Sequence, residues 1–87
     1  MEDHGQKHTI QVEIQTPVGD WTQDFNKTAK VSEVIQAVLE HFGLAAGNYE
    51  LRNVATNETL QPNRPLVSYQ LEDGAALMLV PEQGSGV

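Results

Sequence analysis

Val31, Val34, Ile35, Val38, Leu39 and Phe42 recur at spacings of three and four residues, which draws one apolar stripe along about three turns of helix. Such a stripe has to be covered. Elsewhere in the chain the apolar residues alternate with polar ones, most regularly between His8 and Gln15, where Ile10, Val12 and Ile14 share one face. One amphipathic helix is enough to cover one face of a small mixed sheet, so these two periodicities together point to an α+β domain with a helix lying across a sheet. At 87 residues the chain has room for one such domain, and without cysteine its apolar core must hold the fold alone.

The remaining elements follow from turn chemistry. Thr16-Pro17-Val18-Gly19-Asp20 suits a hairpin turn, with Pro17 fixing one backbone angle and Gly19 free to take positive φ. Trp21 to Phe25 then returns antiparallel with Trp21 and Phe25 inward. The same alternation points Gln23 at the core unless a bulge turns it aside. Ser32 or Thr28 is the expected helix N-cap, and Gly43 followed by Leu44 marks a left-handed stop. A short strand is expected over Tyr49–Val54, with Leu51 inward and Arg52 outward, then a turn at Ala55-Thr56-Asn57-Glu58 and a brief strand at Thr59 and Leu60. Pro62 and Pro65 interrupt regular structure in a packed loop anchored by Leu66, Tyr69 and Leu71. After the turn at Glu72-Asp73-Gly74, a last strand runs from Ala75 to Val80 and is stopped by Pro81. Residues 1–7 form a polar N-terminal segment, 8–81 the domain and 82–87 a flexible tail. If the last strand lies beside the first, the two centre a mixed sheet of four or five strands with the helix packed across it, a β-grasp layout.

Charge and side-chain inventory remove several functions. Five Lys and Arg against twelve Asp and Glu leave a net charge of −7, which repels nucleic acid and anionic membrane surfaces alike. His4, His8 and His41 are far apart and have no second ligand at metal spacing, so no metal site and no cofactor are expected. Ser68 and Ser85 have no histidine and acid partners that the strand pattern would bring together, so no catalytic residues are assigned. Trp21, Phe25, Phe42 and Tyr49 fall at core phases and read as packing groups. The opening Met-Glu-Asp-His-Gly-Gln-Lys is not a basic stretch followed by an apolar one, and the expected location is the cytoplasm.

The segment Leu66-Val67-Ser68-Tyr69-Gln70-Leu71-Glu72-Asp73-Gly74-Ala75-Ala76-Leu77-Met78-Leu79-Val80 resembles the ubiquitin family from its tyrosine loop through its final strand, without gaps. The strand Ile10, Val12, Ile14 and the helix stripe with Gly43 and Leu44 extend the resemblance over about residues 8–86. Continued past Val80, it sets Ser85 and Gly86 on the family's terminal glycine pair and leaves Val87 as a one-residue extension. The resemblance therefore implies a modifier whose Gly84-Ser85-Gly86-Val87 end is clipped to expose Gly86. The exposed carboxylate would be adenylated and linked to target proteins. The implied partners are an activating enzyme, a conjugating enzyme and a processing or deconjugating metalloprotease, as in compact bacterial conjugation operons. Glu82 and Gln83 stand where the family tail is basic, and Ser85 breaks the double glycine, so the activating enzyme would be a dedicated one.

The resemblance also implies a partner-binding face on the outer side of the sheet, here formed by Met78, Val80, Arg52 and Val18. Arg52 occupies the place of the family's central isoleucine, which makes the patch smaller and charged. Lys7, Lys27 and Lys30 are the lysines that could accept another copy. Two other readings suit the same fold: a noncovalent protein-binding module that uses the sheet face, and a sulfur carrier whose terminal glycine becomes a thiocarboxylate.

Overall fold

The computed structural model describes residues 8–45 and 47–81. Five strands and one α-helix follow in the order β1 (Thr9–Thr16), β2 (Gly19–Asn26), α1 (Val31–Phe42), β3 (Tyr49–Asn53), β4 (Thr59–Leu60) and β5 (Ala75–Pro81), with a 3-10 turn at Leu66–Tyr69 before β5. The sheet order is β2-β1-β5-β3-β4. β1 and β5 are parallel and central, and every other pairing is antiparallel. This is the β-grasp arrangement, with five strands.

The core lies between the helix stripe and one face of the sheet. Ile10, Val12 and Ile14 of β1, Leu51 of β3, Leu60 of β4 and Leu77 and Leu79 of β5 are all buried against Val31, Val34, Ile35, Val38 and Leu39 of α1. No polar or charged residue is buried among the described residues. Each fully buried Val, Leu or Ile contributes about 1.5–3 kcal/mol of transfer free energy, so the alternation along β1 is itself what fixes its register.

Four local details depart from the sequence reading. First, the helix N-cap is Lys30, without a side-chain cap bond; neither Ser32 nor Thr28 serves. The orphan N–H groups find backbone partners instead. Val31 donates to the Arg64 carbonyl and Ser32 to the Pro62 carbonyl, each at 2.9 Å, so the loop after β4 caps the helix from across the core. Second, β2 has no bulge, because its pairing with β1 is continuous from Thr9↔Asn26 to Thr16↔Gly19. Gln23 does share the inner side with its partner Val12, yet it is exposed, since β2 is the edge strand and this part of its inner side is open to solvent.

Third, the stretch between the prolines and the last turn is not irregular throughout. Leu66–Tyr69 form one 3-10 turn that buries Leu66 and closes on Gln70, at φ 54°. Fourth, β5 includes Pro81, which sits opposite Tyr49; the missing N–H ends the strand one residue later than expected. Smaller shifts set β1 one residue later at both ends, lengthen β2 to Gly19–Asn26 and end β3 at Asn53. At the other end of the helix the expected stop holds: Gly43 adopts φ 68°, and Leu44 N–H reaches back to the Leu39 carbonyl at 2.9 Å.

Tyr69 ties the 3-10 turn to the segment after β4, because its hydroxyl accepts the Gln61 N–H at 2.7 Å. Tyr69→Phe is expected to cost about 1 kcal/mol and to speed amide exchange at Gln61, checked by urea denaturation and hydrogen exchange.

At the helix C-terminus four rings meet. Trp21 stacks on His41 with centroids 4.0 Å apart and planes 5° from parallel, and presents edges to Phe25 at 5.9 Å and Phe42 at 6.5 Å. Trp21, Phe25 and Phe42 are half-buried, so they act as packing groups at the rim of the core.

Candidate functional site

The outer face of the sheet is where the fold gathers the residues proposed for partner binding. Side chains directly opposite one another in a sheet share a face, and the registers Asp20↔Gln15, Gln15↔Met78, Met78↔Arg52 and Arg52↔Thr59 compose one row across all five strands. Arg52 and Met78 are therefore immediate neighbours. Two residues along β5 from Met78, Val80 pairs with Glu50 on the same face.

The β1–β2 turn lies at the same end of the sheet as Val80. Continuing the parallel β1–β5 register one step beyond Thr16 sets Val80 level with Pro17, beside Val18. Thr16 braces that turn by accepting the Val18 N–H at 3.1 Å and donating to the Gly19 carbonyl at 2.6 Å. Val18 is 58% exposed and Met78 38%, while Val80 is half-buried. The fold thus brings Arg52, Met78 and Val80 together on one face, with Val18 exposed in the turn at the same end of the sheet.

Charge decides how Arg52 behaves there. Its Nη2 donates to Glu50 Oε2 at 3.0 Å, two residues back on the same strand and hence on the same face. The Arg52 side chain is 40% exposed and Glu50 24%, and the Arg52 Nε is shielded from solvent with no partner among the described residues. The bond holds the guanidinium along β3 toward Glu50, and its charge is offset locally. Glu50 was not picked out as a site residue by sequence reading; the alternation of opposite charges at i and i+2 on a strand was the signal that could have found it. Glu13 and Asp20 share the same face, so Met78, Val80 and Arg52 have further acidic neighbours there besides Glu50.

The other proposed residues are not gathered there. Gly84, Ser85, Gly86, Val87 and Lys7 lie outside the described residues. Lys30 is exposed at the helix N-terminus. Lys27 is half-buried beside a cleft of about 200 Å³ lined with Ile10, Leu66, Val67, Gln70 and Leu71. Among the described residues no group of three His, Asp or Glu could hold a metal ion, and no helix is long and apolar enough to cross a membrane.

No protein-family model and no curated protein matches the chain. Solved structures do. A designed protein based on ubiquitin is 21% identical, with a TM-score of 0.74 over 92% of this chain and 98% of that one. A ubiquitin-like domain of an Arabidopsis thaliana protein is 15% identical, with a TM-score of 0.74 over 100% of this chain and 93% of that one. The ubiquitin of Caldiarchaeum subterraneum is 20% identical, with a TM-score of 0.73 over 90% of this chain and 99% of that one. At these identities the likeness lies in the backbone, and with the strand order and helix placement above it establishes that this chain has the ubiquitin-like β-grasp fold.

Proposed function

We propose that the chain is a protein modifier. Cleavage after Gly86 frees its carboxylate, which attacks the α-phosphorus of ATP, releasing pyrophosphate and leaving a Gly86 acyl-adenylate. An amine of the target then displaces AMP and loses a proton, which makes an amide. In this reading the chain is the group transferred and not a catalyst. The chemistry belongs to a dedicated activating enzyme, a conjugating enzyme and a processing or deconjugating metalloprotease of a bacterial-type cytoplasmic system.

The observation that carries this reading is the exit of β5. Pro81 is exposed at the end of a central strand, at the same end of the sheet as Val18 and Val80. From Pro81 to Gly86 is five residues, a reach of up to about 17 Å, enough to carry the glycine clear of the domain into a narrow catalytic channel. Gly86 suits such a channel because it has no side chain to clash. Lys30 is the exposed acceptor for a second copy among the described lysines, and Lys27 is the more shielded one.

The test is intact mass and a denaturing immunoblot of the protein from its native host. A species ending at Gly86, with higher bands that vanish in Gly86→Trp and in a chain lacking residues 82–87, is the expected result. Linkage peptides should map to Lys30 ahead of Lys27. Absence of both processed species and adducts overturns the modifier reading.

A second reading is favoured by the Arg52–Glu50 pair, which orders the outer face without any tail: a noncovalent module that binds a partner through Val18, Arg52, Met78 and Val80. Such a module keeps its partner when residues 82–87 are deleted. A sulfur carrier would instead show processed protein heavier by the difference between sulfur and oxygen.

A further inference from the structure

A cleft beside the 3-10 turn opens on the core. Ile10 of β1 and Leu66 are 4% and 1% exposed, and with the half-buried Leu71 they line the bottom of a cavity of about 200 Å³. Exposed Val67 stands at its side, and Lys27 and Gln70 at its rim. Backbone bonds fix this frame. Lys27 N–H donates to the His8 carbonyl, Leu66 N–H to the Ala29 carbonyl and Val67 N–H to the Lys27 carbonyl, each at 2.9 Å. The walls are thus held in place before anything enters, which lowers the cost of binding.

Size and lining restrict what can enter. An apolar cavity of about 150 Å³ takes up benzene, whereas drug-sized ligands need roughly 300–1,000 Å³. The cleft therefore suits a body of about six to eight carbons and is too small for a nucleotide. Ile10, the one lining residue that belongs to a strand, lies in β1 between β2 and β5, so the cleft offers no free strand edge to a peptide. Its apolar lining is all aliphatic, with no ring for an aryl group to stack on, which favours an alkyl chain.

Charge sets the other end of the ligand. Lys27 is half-buried, and among the described residues its ammonium has no hydrogen-bond or ion-pair partner. No carboxylate lines the cleft, although the chain as a whole carries a net charge of −7. A partly desolvated cation is favoured by an opposite charge held beside it. A phosphate is a poor match, because the nearby helix N–H groups of Val31, Ser32, Glu33 and Val34 already donate to backbone carbonyls. One cation without convergent amides suits a single carboxylate.

We infer that the cleft binds the anion of a medium-chain fatty acid. The alkyl chain lies against Ile10, Leu66, Val67 and Leu71, and the carboxylate accepts from Lys27 Nζ with the Gln70 amide beside it. This site is separate from the Arg52–Met78 face and does not depend on conjugation.

The test is an amide NMR titration of the full chain with octanoate, beside butyrate, dodecanoate and octylammonium. Octanoate should shift Ile10, Lys27, Val67 and Leu71 saturably, with a dissociation constant on the order of 1 mM for a ligand of this size. Affinity should rise from butyrate to octanoate and level off at dodecanoate, since the cleft has no room for more carbons. Octylammonium should bind about tenfold more weakly than octanoate. Lys27→Gln should weaken octanoate by about tenfold while Lys27→Arg retains it, which separates loss of charge from a disturbed fold. Four results would each overturn the inference: no saturable shift at the cleft, equal binding of octanoate and octylammonium, affinity still climbing at dodecanoate, or shifts centred on the Arg52–Met78 face.

Discussion

Leu77→Ala is expected to lower the stability of the domain by about 3 kcal/mol, the middle of the range for buried leucines whose surroundings collapse only partly. Leu77 is fully buried in the central strand, opposite Ile14 of β1 and Asn53 of β3, so its loss opens a cavity where both halves of the sheet meet the helix. For a domain of this size the whole stability is on the order of 5–10 kcal/mol, and a single truncation would remove a large share of it. Urea denaturation reads this as a lower midpoint with an unchanged slope. Leu77→Met keeps the volume and should cost less than about 1.5 kcal/mol; equal losses in the two variants would mean that the site is not closely packed.

Trp21→Ala should cost about 2 kcal/mol and lower the melting temperature by about 10 °C, although Trp21 is only half-buried. Its indole is the ring common to three aromatic contacts, with His41, Phe25 and Phe42, and it closes the rim of the core where β2 passes the end of α1. Trp21→Phe retains the edge contacts and loses most of the stack on His41, so calorimetry should place it between the wild type and Trp21→Ala. A loss in Trp21→Ala below about 0.5 kcal/mol would make the cluster a surface ornament without structural weight.

Period alone was enough to place β1 and α1, because each carries apolar residues whose spacing permits one buried face, while β5, apolar throughout, was bounded by the Glu72-Asp73-Gly74 turn and Pro81. Gly43 was equally readable, since a left-handed stop is a local requirement. What escaped was whatever another part of the chain supplies. The helix N-terminus is capped by carbonyls of Pro62 and Arg64, some thirty residues further on, and no feature near Lys30 announces it. Gln23 obeys its alternation and still meets water, because exposure at an edge strand depends on how far the helix reaches over it. On the outer face, Arg52 and Met78 could be set side by side only through the family resemblance. The register now supplies the physical reason, and the bond from Arg52 to Glu50 shows why a cation can sit in the middle of a sheet row.

The strand order has a consequence for how the chain matures on the ribosome. β5 is the last strand to be made among those described, yet within the sheet it is the strand that joins the β1–β2 hairpin to the β3–β4 pair. Until it emerges, the nascent chain holds two small sheet fragments and a helix with no common floor, each exposing apolar side chains to whatever chaperones attend the exit tunnel. Emergence of β5 from the tunnel thus sets the earliest moment at which the sheet can close.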